Sequence, residues 1–405
     1  MTEDVVKSLA QSAIKMLPQE KMVQSSKKQS SIFIGIPKET SLQERRVPLV
    51  PQDVELLVHN DHKVVIESKA GEKANFSDHD YSEAGAKIVH SIEDVFKADI
   101  LLKVEPLSYK EIDLTQRGQT IISALQLPVQ PKNFLQKMMD KKITAIAYDF
   151  IKDDSGSLPV IRAMSEIAGN TSILIAAEYL SNINGGQGLM MGGISGVKPT
   201  EVVIFGAGAV AEFAARAALG LGASVKVFSN NTSKIRRLQE GIGARIFTST
   251  MQPKVIESAL KSADVAIGAT RSKTGRTPLI VSEEMVQKMS AGSIIVDVSI
   301  DQGGCFETSK ITTHANPTFE LYGITHYCVP NIASRVARTA SYALSNIFAP
   351  VILGLGEGGG IDDCIRQVHS VRSGIYLYKG MLTNRYLAEQ FNLPCKDLDL
   401  LLAAI

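Results

Sequence analysis

The run Phe205-Gly206-Ala207-Gly208-Ala209-Val210-Ala211 has the pattern G-x-G-x-x-A, set between an apolar strand-like run and an alanine-rich helical run. Gly206 permits a tight turn, Gly208 lets the backbone approach a pyrophosphate, and Ala211 keeps the helix close to the sheet. The helix N-terminus favours the negative charge. This pattern in strand-turn-helix context points to dinucleotide binding, with Gly206, Ala207, Gly208, Ala209, Val210 and Ala211 as cofactor contacts. An NAD site usually has Asp or Glu at the end of the second strand, about 20 residues on, to hold the ribose 2′-hydroxyl. Here that strand ends Val227-Phe228-Ser229-Asn230-Asn231, without a carboxylate. Ser229 and the asparagines can hydrogen-bond a 2′-phosphate without repelling it, and Lys234, Arg236 or Arg237 can add charge. Ser229 can equally bond the hydroxyl, so NAD and NADP both stay open. Three charged residues have the chemistry of a small-molecule site. Arg46, in the loop after the first strand, offers a bidentate fork for a carboxylate. Lys103 ends a buried strand and can contact a carboxylate or carbonyl oxygen. Asp301 lies just past a strand, where open parallel sheets bind ligands.

The elements that must position these residues alternate. Strand-like runs at 32–36, 63–67, 99–104, 120–125 and 143–148 are separated by helix-length segments such as 51–60 and 131–140. A second series begins at Glu201, with runs at 202–205, 224–228, 244–247, 264–267, 293–298 and 324–329. Strands alternating with helices predict βαβ units and mostly parallel sheets. A helix over 171–180 leads into the second unit and one over 337–353 leaves it. The run 354–360 is rich in glycine and reads as a flexible break, and 361–405 reads as helices without a strand of their own. The expected fold is α/β with two domains, a Rossmann-type doubly wound nucleotide domain inserted into a second parallel α/β substrate domain. The expected segments are an N-terminal extension, 1–30; the first part of the substrate domain, 31–163; the nucleotide domain, 164–342; and C-terminal helices returning to the substrate domain, 343–405.

The chain has 405 residues, 44% hydrophobic and 21% charged, as ordinary globular proteins do. Its 43 Lys and Arg offset 42 Asp and Glu, which argues against nucleic acid or an anionic membrane as the main partner. No apolar run reaches the roughly 18 residues of a membrane span. Four cysteines without C-x-x-C or zinc spacing, together with an N-terminus lacking a secretory signal, lead to the expectation of a cytoplasmic protein.

Several motifs, in order over about residues 31 to 350, resemble those of the alanine dehydrogenase and pyridine nucleotide transhydrogenase α-subunit family, on the alanine dehydrogenase side. Ile34-Gly35-Ile36-Pro37-Lys38-Glu39 with Glu44-Arg45-Arg46-Val47-Pro48 resembles its N-terminal signature, and Met164-Ser165-Glu166-Ile167-Ala168-Gly169 its hinge helix. Gly192-Gly193-Ile194-Ser195-Gly196-Val197-Lys198-Pro199 precedes the nucleotide strand. Val296-Asp297-Val298-Ser299-Ile300-Asp301-Gln302-Gly303-Gly304-Cys305 is the most specific run, and His326-Tyr327 with Val329-Pro330-Asn331 completes the set. The resemblance implies NAD(P)-dependent, reversible oxidative deamination of L-alanine to pyruvate and ammonia, in a homo-oligomer that is usually a hexamer. It makes Arg46 the substrate arginine and Asp301 catalytic, and places Ser165, Val298 and Asn331 near the cofactor. Two positions depart from the pattern. Alanine dehydrogenases carry K-V-K-E-P, whose second lysine reaches the substrate; this chain has Lys103-Val104-Glu105-Pro106, so Lys103 either shifts into that role or the role is lost. Gln126 stands where the family has an acid-base histidine, and glutamine orients a carbonyl or water but exchanges no proton near neutral pH. These departures keep two alternatives open: the soluble nucleotide-binding component of a proton-translocating transhydrogenase with a membrane subunit as partner, or a weakly active dinucleotide-binding regulator.

Overall fold

The computed structural model describes residues 31–41, 43–125, 131–153, 155–272, 275–357 and 361–403. The expectations for residues 1–30 and for Gln126 lie outside the described residues. The first series of runs forms strands β1 (Phe33–Ile36), β2 (Lys63–Glu67), β4 (Ile100–Leu102), β5 (Thr120–Ser123) and β6 (Thr144–Ala147), and an edge strand outside the expected runs, β3 (Lys87–Val89), joins them. The second forms β7 (Glu201–Phe205), β8 (Ser224–Phe228), β10 (Val265–Gly268), β11 (Ile294–Asp297) and β13 (Ile324–Tyr327); the strand expected at 244–247 lies instead at β9 (Phe247–Ser249), and β12 (Thr318–Leu321) was not among the expected runs. The chain then adds β14 (Ile375–Tyr378) and β15 (Met381–Leu382). Helices of nine residues or more among the described residues are α1 (Pro51–His59), α2 (Lys132–Asp140), α3 (Pro159–Leu180), α4 (Ala209–Gly220), α5 (Thr232–Ile242), α6 (Pro253–Lys261) and α7 (Ala337–Glu357).

Two sheets result, and they share a plan. The first runs β3-β2-β1-β4-β5-β6-β14-β15 and the second β9-β8-β7-β10-β11-β13-β12. In both, the chain starts in the middle, builds outward on one side, then crosses to the other. That reversal, between β1 and β4 and between β7 and β10, is where a doubly wound sheet leaves a crevice beyond its strand ends. The pairing is parallel at both reversals. Strands β4, β5, β6, β10 and β11 are buried at every position, as a sheet covered on both faces requires. Their apolar runs therefore lack the alternation of a half-exposed strand.

Four further expectations need correction. The C-terminal segment does contain strands: β14 pairs antiparallel with β6 and with β15. Its sequence, Ile375-Tyr376-Leu377-Tyr378, is a short β-branched and aromatic run between Gly374 and Gly380, and it is wholly buried. The glycine-rich run at 354 is not a break at its start, because α7 continues to Glu357; residues 358–360 lie outside the described residues. Gly356 is there for close packing, since a Cβ on it would come within 2.3 Å of the His62 ring. The helix into the second sheet starts at Pro159, twelve residues before the expected start, with proline in its first turn. Finally, the stretch Ile332–Gly356 is long and apolar enough to cross a membrane by length and composition. Its apolarity is explained by burial, because Ala340, Leu344, Phe348, Ile352 and Leu355 are at most 1% exposed.

Helices α3 and α7 carry the chain out of the first sheet and back, and they pack on each other. α3 also presses on α4, the helix after the glycine loop: a Cβ on Gly169 would sit 2.5 Å from the Val210 carbonyl oxygen. The hinge is thus packed directly on the element that begins at the nucleotide loop.

Candidate active site

At the β7–β10 reversal the backbone itself forms the site. Gly206 has φ +130°, and a Cβ there would lie 2.2 Å from the Ala269 carbonyl oxygen, so only glycine fits. Gly208 is the N-cap of α4, no side chain caps the helix, and a Cβ on Gly208 would meet nothing within 4 Å. The first N–H groups of α4, from Ala209, Val210 and Ala211, have no intrahelical carbonyl to bond. Uncapped donors beside open space suit the pyrophosphate of a dinucleotide. Ala211 is buried under the helix, as close packing on the sheet requires. At the end of β8, Ser229 is buried and its Oγ accepts the Asn231 N–H at 3.2 Å. Asn231 in turn caps α5 by accepting the Lys234 N–H.

The β1–β4 reversal is built from charged side chains. Arg46 is 8% exposed. Its Nε and Nη2 donate to the two oxygens of Glu44, at 2.8 Å and 2.6 Å, and its Nη1 donates to the Met164 sulfur at 3.2 Å. Ser165 follows Met164 on α3, half-buried. Burial opposes charge on both members of the pair, but the attraction between them is larger. Glu44 is held down at about 2 by the Arg46 charge and hydrogen bonds, and Arg46 is pushed above its ordinary value by Glu44.

Lys103 is 1% exposed, and its Nζ lies 2.5 Å from Glu111 Oε1 and 3.5 Å from Glu39 Oε2. Burial works against its charge, yet the two carboxylates outweigh burial and raise its pKa. One cation cannot satisfy two buried anions. Glu39 is the residue left over: its Oε2 is buried without a hydrogen bond, and desolvation raises it to about 7 despite Lys103. Its Oε1 accepts the Val104 N–H at 2.6 Å, and Tyr148 Oη donates to the Val104 carbonyl at 2.6 Å. Of the two outcomes open for Lys103, this geometry matches loss of the substrate role. The ammonium is committed to internal carboxylates.

Asp301 lies in a turn of 3-10 helix, 298–302, directly after β11. That turn is anchored by Asp297, which accepts from the Ser299, Cys305 and Phe306 N–H groups and from Ser309 Oγ. Gly268 and Gly304 make room for it, since a Cβ on either would lie 2.3 Å and 2.7 Å from the Asp297 oxygens. Asp297 was missed as an organiser, although its place at a strand end before two glycines signals it. Val298 begins the turn, half-buried against the core of the second sheet. Asp301 is open to solvent on its surface side and otherwise surrounded by protein. Desolvation raises its pKa against the opposing pull of the Asn331 N–H, Arg46 and Arg271. Cys305 is fully buried and its thiol is pushed well up by desolvation, so it is a packing residue. His326 is equally buried, bonded to Thr308 and stacked on Phe319.

Asn331 joins the two banks. It sits in the left-handed region at φ 57°, its N–H donates to Asp301 Oδ1 at 2.9 Å, and its Nδ2 donates to Glu44 Oε2 at 2.7 Å. Hydrogen bonds therefore run from Arg46 through Glu44 and Asn331 to Asp301, from the first sheet to the second. The structure brings Arg46, Asn331, Asp301 and the hinge residues beside Ser165 into one junction. Asp149 accepts the Leu125 N–H at 3.3 Å, which fixes the chain just before position 126.

Comparison with known proteins agrees with this arrangement. Residues 35–168 match the family model described as "Alanine dehydrogenase/PNT, N-terminal domain" and residues 172–385 the one described as "Alanine dehydrogenase/PNT, C-terminal domain". A relative named alanine dehydrogenase from Methanococcus maripaludis is 40% identical over 365 residues, covering 90% of this chain and 97% of that protein. Among solved structures, an L-alanine dehydrogenase superposes with a TM-score of 0.83 at 37% identity, over 89% of this chain and 99% of its own. A transhydrogenase from Sinorhizobium meliloti, with a TM-score of 0.74 at 22% identity over 87% and 99% of the two chains, shares the fold. With both halves matched and a relative aligned over nearly its whole length, the chain belongs to the alanine dehydrogenase/PNT family.

Proposed function

We propose that the protein catalyses the NAD(P)-dependent oxidative deamination of L-alanine to pyruvate and ammonia, reversibly. The observation that carries this reading is the hydrogen-bonded path from Arg46 to Asp301, which sets a carboxylate fork and an aspartate at one junction between the two sheets. A bound nicotinamide dinucleotide would supply the hydride acceptor. The uncapped start of α4 and the room at Gly208 fit its pyrophosphate. Arg46 holds the substrate carboxylate and so fixes the Cα–H bond in one direction, which lowers the barrier by orientation. With one proton gone from the alanine ammonium, departure of the Cα hydrogen as hydride would leave an iminium on the substrate. Water adds to the iminium carbon and ammonia leaves. Asp301, with its pKa raised by desolvation, accepts and returns the protons of that hydration. Lys103 braces the floor of the junction through Glu111 and Glu39.

Ser229, without a carboxylate beside it, supports acceptance of NADPH as well as NADH. The same reading assigns 31–163 and 343–405 to the substrate domain, 164–342 to the nucleotide domain and 1–30 to an extension. It also takes the protein as a cytoplasmic homo-oligomer, a hexamer by family likeness. The exposed apolar side chains Leu174, Ile183, Met190, Ile194 and Val197, all more than half exposed, support self-association around the end of α3 and the loop after it. The test is reductive amination: oxidation of NADH, and separately NADPH, by pyruvate. Ammonium-dependent turnover supports the reading. Binding of either nucleotide without turnover on pyruvate overturns it.

A further inference from the structure

Glu44 is fully buried, yet it belongs to no core. Its carboxylate is a six-donor hub assembled from both sheets. Oε1 accepts the Arg45 and Arg46 N–H groups at 3.0 Å and 2.8 Å, Arg46 Nε at 2.8 Å and Ser334 Oγ at 3.3 Å. Oε2 accepts Arg46 Nη2 at 2.6 Å and Asn331 Nδ2 at 2.7 Å. The loop around it is fastened to the segment that leaves the second sheet. Ser334, Ser341 and Ser345, each 0% exposed, accept the N–H groups of Arg45, Val47 and Val50 at 2.8 Å, 2.9 Å and 2.9 Å. Ser341 and Ser345, four residues apart, lie on one side of α7, and Ser334 lies in the turn of 3-10 helix just before it, Ile332–Val336, so the Arg46 loop is registered against the start of α7.

The consequence for Arg46 is directional. A guanidinium has five N–H donors in a rigid plane. Glu44 takes the side edge, Nε and Nη2, while Nη1 donates to the weak acceptor Met164 Sδ at 3.2 Å; the end edge, formed by one Nη1 hydrogen and the second Nη2 hydrogen, is then the part of the fork a substrate carboxylate would take. The pair is also close to neutral in charge, so this arrangement spends the long-range attraction of Arg46 for an anion in order to fix its angle. Resting on the deamination reading above, we propose that Glu44 is a positioning residue for the reaction: it aims the end edge of Arg46 at the substrate carboxylate and, through Asn331, keeps that aim in register with Asp301.

The alternative uses of Glu44 predict opposite signs. Were it mainly a counter-charge, removing it would strengthen anion binding; as a positioning group, removing it weakens binding although the site gains positive charge. The experiment measures binding of oxamate, an unreactive pyruvate isostere, to the NADH complex of wild type and of the Glu44→Gln variant by calorimetry, together with kcat and KM for pyruvate. The amide puts a donor against either Arg46 or Asn331. The expected result is oxamate binding weakened by at least about tenfold and a parallel rise in KM, with NADH affinity preserved. In an Arg46→Lys background Glu44→Gln should add less than about twofold, because Glu44 acts through the fork that lysine lacks. Unchanged or tighter oxamate binding in Glu44→Gln, or a full additive loss in the Arg46→Lys background, overturns the proposal. Should Glu44→Gln not fold, Glu44→Asp, which keeps the charge and withdraws the carboxylate by one methylene, is read by the same criteria. A wild type that binds oxamate but does not turn over pyruvate sinks the deamination reading and leaves the Glu44 comparison intact.

Discussion

The two crevices of this protein lie at equivalent places in two sheets of the same plan and are made in opposite ways. At the β7–β10 reversal the functional groups are backbone N–H donors, uncapped and facing open space. At the β1–β4 reversal they are charged side chains already paired internally, Arg46 with Glu44 and Lys103 with Glu111 and Glu39. A diphosphate is the same in every substrate pair, so its site can be prepaid in backbone. A small amino acid must be held at one angle, and a buried network of ion pairs sets that angle. The cost is that each buried charge depends on its partner.

The largest effect should come from Arg46→Ala. Two charge-assisted hydrogen bonds at about 1.5–3 kcal/mol each amount to roughly 10²–10⁴ in kcat/KM for pyruvate. The same change strands Glu44 and costs stability of about 3–5 kcal/mol, read as a lower urea midpoint. Catalysis kept within tenfold would remove Arg46 from the substrate.

Lys103→Met separates the two uses of charge at the β1–β4 reversal. It leaves Glu111 and Glu39 buried without their cation, so stability should fall by about 3–5 kcal/mol while KM for pyruvate in the folded enzyme stays within about threefold. A large rise in KM at unchanged stability would return Lys103 to the substrate.

Gly206→Ala attacks the backbone-built crevice. The added Cβ meets the Ala269 carbonyl at 2.2 Å in a left-handed conformation, which costs about 1–2 kcal/mol before any clash. NADH binding should weaken by about tenfold or more, as calorimetry would report. Unchanged NADH binding would show that this loop does not set the nucleotide site.

Glu39 gives a pH signature. Its folded pKa of about 7 exceeds its ordinary 4.5, so the folded state binds the proton more tightly. The stability it contributes is complete below about pH 4.5 and is lost as pH rises through 7. Urea titrations of wild type and Glu39→Gln at pH 5 and 8 should diverge, with the variant losing less stability over that span. Equal losses would show that Glu39 does not titrate in this range.

How much of this was legible in the sequence follows the same division. Gly206 is constrained by backbone geometry and Ala211 by close packing under α4, so their spacing, read between a strand and a helix, marked this turn in the sequence. The parallel strands were legible as apolar runs because both faces of each sheet are buried. Glu44 stood within a recognised motif without a role, because its partners Asn331 and Ser334 lie almost 290 residues away and no local pattern connects them. Lys103 was legible as a buried charge but not as the centre of a triad, since Glu39 arrives from the loop after β1. Strands β14 and β15 were missed because runs of four and two residues are too short to show a period. The carboxylate-free end of β8 was legible too, and it yields the smallest effect: Ser229→Asp should raise KM for NADPH roughly tenfold by like-charge repulsion and leave KM for NADH nearly unchanged, separable by assaying both nucleotides.

The central claim is that the junction delivers the Cα hydrogen of alanine to the nicotinamide. The most direct measurement is mass spectrometry of the reduced nucleotide formed from L-alanine deuterated at C2. The account predicts one deuterium in the reduced nucleotide, in step with pyruvate formed, and deuterium transfer slowed by about a hundredfold or more in Arg46→Ala. Reduced nucleotide without deuterium, or none at all while the oxidised nucleotide and alanine both bind, would contradict it.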